Sequence, residues 1–92
     1  MGRQDCYKRE DRVIFTDLGD TGTLVDPYRR TLVKLNPAAL QIWKLLDGTR
    51  PFGSLIEALS RDFEVDGPRL EKDVAAFLKD LARREMITLC SA

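Results

Sequence analysis

The dipeptide Asn36-Pro37 separates two different hydrophobic patterns, and no other feature of the 92-residue chain limits its fold so tightly. Before it, Thr31-Leu32-Val33-Lys34-Leu35 alternates with the period of a strand; after it, Ala39, Ile42, Trp43 and Leu46 recur at i, i+3, i+4 and i+7. Asn is a favoured N-cap, because its side-chain oxygen accepts an otherwise orphan backbone N–H. Pro at the first helical position loses nothing, since its missing N–H would have had no partner. A strand therefore feeds directly into a core helix. Leu35 adjoins that helix, so the face of Thr31, Val33 and Leu35 is expected inward and that of Leu32 and Lys34 outward.

The remaining segments arrange themselves around this join. Val13–Leu18 is rich in β-branched and aromatic residues and ends at the turn-prone Gly19-Asp20-Thr21-Gly22. Thr23–Asp26 stops at Pro27, and a polar turn leads into Arg30–Leu35. Short runs with Gly- and Pro-bearing turns predict a three-stranded antiparallel meander. Asp47-Gly48 closes the first helix. Ser54-Leu55-Ile56-Glu57 has the spacing of a capping box and opens a second, with Leu55, Ile56, Leu59 and Phe63 on its apolar face. Asp66-Gly67-Pro68 starts a third, in which Leu70, Val74, Phe77, Leu78 and Leu81 keep helical spacing. Met86–Leu89 is expected to pack back on the core or form a short strand.

The expected order is β-β-β-α-α-α, an α+β fold of winged helix-turn-helix type with a three-stranded sheet followed by a three-helix bundle. Residues 1–12 carry seven charges and almost nothing apolar, so they are expected to form a mobile arm. The folded domain is expected over residues 13–89, with 90–92 as a tail.

The composition excludes several functions. Fifteen basic and fifteen acidic side chains cancel, whereas nucleic-acid binders show a basic excess that neutralises phosphates. No apolar run approaches the ~20 residues of a membrane span, and the charged N-terminus lacks the apolar core of a secretory signal. A cytoplasmic location is the expectation. Cys6 and Cys90 are expected to be free thiols in that compartment. Without His, the commonest general base is missing, and neither cysteine has an activating neighbour in sequence. The acidic pair Glu10-Asp11 and the turn residues Asp17 and Asp20 read as solvated charges. Gly19-Asp20-Thr21-Gly22 lacks the downstream Lys-Ser/Thr of a phosphate loop, and no metal-ligand spacing occurs. No catalysis, cofactor or metal is expected. Trp43 and Phe77 fall on apolar stripes and read as core, Phe77 with a second role lining a groove.

Leu35-Asn36, Ile42-Trp43, Leu46-Asp47-Gly48, Ile56 with Leu59, and Asp73-Val74 with Phe77-Leu78 and Leu81 together resemble the PqqD family, over roughly residues 13 to 87. The resemblance implies a peptide-binding module that holds the leader of a ribosomally made precursor and presents it to a modifying enzyme, often a radical SAM enzyme. In that family the leader docks as an added strand against the third strand, beside the third helix. Carried onto this chain, the site comprises Arg29, Arg30, Thr31, Leu32, Val33 and Lys34, with Asp73, Val74, Phe77 and Leu81 opposite. Glu85-Met86-Ile87 stands where members of the quinone pathway carry a Gly-Trp-Leu-like segment, and Pro27-Tyr28-Arg29-Arg30 is a turn unlike theirs. These differences bear on which modified peptide is served.

Strand addition also has a physical basis in these residues. A meander leaves edges whose backbone groups can pair with an extended peptide. Each such hydrogen bond contributes ~1 kcal/mol net. Ordering the peptide costs ~2–5 kcal/mol. Apolar side chains entering a groove must then supply most of the affinity, with Arg29, Arg30 and Lys34 attracting acidic groups. The same edge can pair with a second copy to give a homodimer. Two other functions share the architecture: a winged-helix DNA-binding regulator, and a protein–protein adaptor. Against the first, the third helix interleaves Arg69, Lys72, Lys79, Arg83 and Arg84 with Glu71, Asp73, Asp80 and Glu85.

Overall fold

A computed structural model describes residues 2–62 and 66–90. Among these residues the chain forms two three-stranded antiparallel sheets and three helices. The first sheet has the order β2-β3-β4, from Ile14–Asp17 (β2), Gly22–Asp26 (β3) and Thr31–Leu35 (β4). This is the expected meander. Helices α1 (Pro37–Leu45), α2 (Phe52–Asp62) and α3 (Gly67–Arg83) follow, but Asp47–Pro51 forms a strand, β5, between the first two. With β1 (Cys6–Arg9) and β6 (Ile87–Cys90) it builds the second sheet, order β5-β1-β6. The β-β-β-α-α-α order is thus corrected to β-β-β-β-α-β-α-α-β.

The join at Asn36-Pro37 forms as its chemistry requires. Asn36 Oδ1 accepts the Ala39 N–H at 2.8 Å, and Pro37 is the first helical residue. Leu40, Ile42 and Trp43 then turn inward, where Leu24 and Leu35 of the sheet meet Leu55, Leu59, Val74, Leu78 and Leu81. Phe63, expected on the α2 face, lies outside the described residues.

Residues 6–9, expected within a mobile arm, are instead the central strand of a sheet. Their charge misleads, because a strand flanked on both sides needs backbone partners more than apolar side chains. The segment before β1 also has a structural task. Carbonyls of Asp5 and Arg3 accept the N–H groups of Phe52 and Gly53 at 2.8 and 2.9 Å, satisfying two orphan donors of α2. Gly53 lets that backbone approach, since a Cβ there would stand 3.2 Å from Arg3 Nε and 3.4 Å from its carbonyl oxygen. Helix α2 consequently begins two residues before the expected capping box, and Ser54 lies exposed inside it.

Helix α3 ends in two reverse bonds, Met86 N–H to the Leu81 carbonyl and Glu85 N–H to the Ala82 carbonyl, with Glu85 at φ 57°. This is a Schellman ending, and its left-handed position favours glycine.

Candidate functional site

Strand β4 has β3 on one side and, among the described residues, no strand on the other. Which of its backbone groups face the open side follows from the hairpin before it. Leu18 N–H donates to the Thr21 carbonyl at 2.8 Å, fixing which residues of β2 and β3 exchange hydrogen bonds. Alternation along the ladder then turns Gly22, Leu24 and Asp26 toward β4, opposite Leu35, Val33 and Thr31. Leu32 and Lys34 therefore aim their N–H and C=O groups outward. Four backbone hydrogen-bonding groups line the free edge. Side chains alternate as expected: Leu35 is buried, Thr31 and Val33 are half-buried, and Leu32 and Lys34 are exposed.

An apolar groove opens at the Lys34–Leu35 end of this strand. A first cavity of about 500 Å³ lies between the β2–β3 turn, at Leu18 and Thr21–Thr23, and the Leu35-Asn36 join. Ala39 and Phe77 form its far wall. A second cavity, of about 370 Å³, continues between α1 and α3 over Ala38, Ile42, Leu59, Leu70, Asp73 and Val74. Asn36, Ala39 and Phe77 line both, so the two make one channel. The N-cap that starts α1 is also part of the groove wall.

The structure brings Lys34, Asp73, Val74 and Phe77 together at the groove, and places Thr31, Leu32 and Val33 along the strand that leads to it. Leu81 is fully buried in the core and lines neither cavity. Arg29 and Arg30 sit at the opposite end of β4, in the β3–β4 turn, where Arg29 pairs with Glu85. Sequence reasoning missed Leu18, Ala38, Ala39, Ile42, Leu59 and Leu70 as groove residues. Their one signal was the pair of small residues Ala38-Ala39 directly after the cap, which keeps the α1 wall low. Trp43, expected in the core, is buried there.

The β3–β4 turn is held from beneath by a buried carboxylate. Asp26 is fully buried; Oδ1 accepts the Tyr28 N–H at 3.0 Å and the Arg29 N–H at 3.3 Å, and Oδ2 accepts Arg12 Nε at 3.2 Å. Arg12 also donates to the Glu85 carbonyl, tying the segment before β2 to the end of α3. Burial pushes the Asp26 carboxyl up, but the Arg29 N–H, Arg12 and Tyr28 N–H outweigh it and hold it below the ordinary 3.8. Arg30 takes the left-handed conformation, φ 52°, that closes the turn.

Three further carboxyls are also held low. Asp17 is held by Lys44 and then the Gly19 N–H, Asp47 by the N–H and hydroxyl of Thr49, and Asp80 by Arg84 and Arg83. A depressed folded value means the stabilisation is complete above the unfolded value and is lost as pH falls through the folded one. Thermal melts followed by circular dichroism should give a Tm insensitive to these groups down to about pH 4 and falling below it. Asp26→Asn should lower Tm at pH 7 and flatten the acid decline. A fall beginning above pH 5 in the wild type would assign acid sensitivity to other groups.

These features define a small α+β domain with a strand edge, unpaired among the described residues, running into an apolar groove. The chain belongs to the family described as Coenzyme PQQ synthesis protein D (PqqD), whose pattern matches residues 22–87. It is 29% identical over 80 residues to the PqqA binding protein of Rhodopseudomonas palustris, spanning 87% of this chain and 76% of that one. It is 38% identical over 52 residues to the PqqA binding protein of Pseudomonas aeruginosa, spanning 56% and 55%. A solved structure described as TbiB1 in complex with the TbiA(beta) leader peptide matches with a TM-score of 0.81 at 26% identity, over 92% of this chain and 99% of that one. No helix among the described residues is long and apolar enough to cross a membrane.

Proposed function

We propose that this chain binds the leader segment of a ribosomally synthesised precursor peptide and presents it to a modifying enzyme, of radical SAM or another type, in the cytoplasm. The observation that carries the reading is the β4 edge, where the outward backbone groups of Leu32 and Lys34 lead into the groove at Phe77. The names printed for its relatives, a PqqA binding protein and a leader-peptide complex, support it. The β2-β3-β4 sheet beside α1–α3 reads as winged helix-turn-helix-like. The peptide-binding residues are Thr31–Lys34 with Asp73, Val74 and Phe77, to which the groove adds Asn36, Ala39 and Leu59. The chain holds its partner without catalysing a reaction.

The energetics divide the work between backbone and groove. Four edge hydrogen bonds contribute about 4 kcal/mol at ~1 kcal/mol each, against an ordering cost of ~2–5 kcal/mol. The backbone alone is near break-even, so affinity and selectivity come from apolar leader residues entering between α1 and α3. An added strand alternates its side chains, so every second leader residue meets Phe77 and its neighbours.

The test is an NMR titration with a synthetic peptide of the leader encoded beside this chain's gene. Amides of residues 30–35 and of α3 around Phe77 should shift, and the Leu32 and Lys34 amides should gain protection from exchange. Shifts confined to the α1–α2 surface, or none at saturating peptide, would overturn the assignment.

A further inference from the structure

We infer that Cys6 and Cys90 form a cross-strand dithiol, reduced at the cytoplasmic redox poise, that closes into a disulfide when its surroundings turn oxidising and then staples the two ends of the domain together. The pair lies in the sheet β5-β1-β6 and not in the sheet that carries the β4 edge, and the inference does not rest on the peptide-binding reading. Cys6 and Cys90 are direct partners in the antiparallel pairing of β1 and β6, followed by Tyr7–Leu89, Lys8–Thr88 and Arg9–Ile87. Directly opposed residues project to the same face. Cys6 is half-buried, as is Cys90, and both are free thiols in the structure.

The register sets the spacing. Glu10 N–H donates to the Met86 carbonyl at 3.0 Å, one step beyond the Arg9–Ile87 pair. By alternation, Lys8–Thr88 and Cys6–Cys90 are the pairs that exchange backbone hydrogen bonds, for which the Cα atoms stand ~5.5 Å apart. Disulfides span Cα separations of ~4.4–6.8 Å and Cβ separations of ~3.5–4.5 Å, whereas directly opposed strand residues hold their Cβ atoms ~4.5–5.5 Å apart, so closure needs side-chain rotation and a small approach of the two strands. Both sulfurs already lie over the same part of β5. Cys6 Sγ is 3.8 Å from the Thr49 carbonyl oxygen, and Cys90 Sγ is 3.8 Å from where a Cβ on Gly48 would stand. Gly48, at φ 85°, brings no side chain of its own against the pair; a Cβ there would also stand 3.2 Å from Lys8 Cβ.

With glutathione disulfide as oxidant the chemistry balances. One cysteine thiolate attacks a sulfur of the oxidant, its S–S bond breaks, and one glutathione leaves as the thiol after taking up a proton. The second cysteine thiolate attacks the mixed disulfide and releases the second glutathione. The two protein thiols lose two electrons, and the oxidant becomes two thiols. The bond closes a loop of nearly the whole domain, the case in which the unfolded chain loses most freedom. It also pins the segment whose Arg3 and Asp5 carbonyls cap α2.

The test uses the full chain equilibrated in glutathione buffers from reducing to oxidising. Intact mass should fall by two hydrogens, non-reducing digestion should join the peptides holding residues 6 and 90, and Tm should rise by at least ~10 °C over the reduced protein. Cys6→Ser and Cys90→Ser should each abolish the mass loss and the Tm rise. Glutathione adducts on both cysteines without an internal link, an intermolecular disulfide dimer, or a Tm rise that persists in Cys6→Ser would each overturn the proposal.

Discussion

Leu32→Pro is expected to weaken leader-peptide binding at least ~10-fold while leaving the fold nearly as stable as the wild type. That change corresponds to about 1.4 kcal/mol. The Leu32 N–H points to the open edge, so proline there removes no bond to β3; it removes a donor from the incoming strand and puts ring carbons in its path. Val33→Pro, one residue along, should behave oppositely. Val33 pairs with Leu24 in the hydrogen-bonded register, so losing its N–H breaks the β3–β4 ladder and leaves a buried carbonyl unpaired. Its unfolding midpoint should drop sharply, and any binding loss would follow from unfolding. Calorimetry with the leader peptide, alongside urea denaturation of both variants, separates the cases. If Leu32→Pro binds normally and folds, the peptide does not add to β4. If it unfolds while Val33→Pro does not, the register of the edge is the reverse of that in the structure.

The contrast between these neighbours shows what sequence could and could not reveal. Alternation in Thr31–Leu35 placed Leu35 inward and Lys34 outward, as found, because side-chain period is a local property. Backbone direction is not local: it depends on the Leu18–Thr21 bond across the preceding hairpin, so alternation alone does not say whether the N–H of Val33 or that of Leu32 faces the open edge. The Asn36-Pro37 cap was legible because one side chain and one ring determine it. Strand β5, Asp47–Pro51, was not, since its Gly and Pro argue against a strand and only β1 as partner makes it one. The same reason hid β1 behind its charges. Of the groove, Phe77 was readable from the stripe of α3, whereas Val74 came only with the family resemblance. Leu59 and Leu70 were read as core, and that they also edge a cavity depends on how far α1 and α3 stand apart. Leu81 follows the same stripe one turn on, where the core closes over it.

Trp43→Ala should remove the largest single share of folding free energy, about 3–5 kcal/mol for a large buried aromatic side chain. Domains of this size have ~5–15 kcal/mol in total, so the variant should be close to or beyond its folding limit. The ring is 2% exposed, with Phe15 at 6.2 Å between ring centroids and the Arg9 guanidinium 5.8 Å from its centroid. It therefore joins α1, the β2-β3-β4 sheet and the β5-β1-β6 sheet, and its removal loosens all three. Trp43→Phe should cost much less than the alanine change. The indole Nε1 is buried without a hydrogen-bond partner among the described residues, so the smaller ring loses packing but also removes an unsatisfied donor. Urea denaturation followed by circular dichroism gives both values, and a loss under ~1 kcal/mol for Trp43→Ala would place the ring outside the core. Trp43 lines neither cavity of the groove. Trp43→Phe should consequently bind the leader with wild-type affinity, separating the side chains that hold the domain together from the edge and groove that receive the peptide.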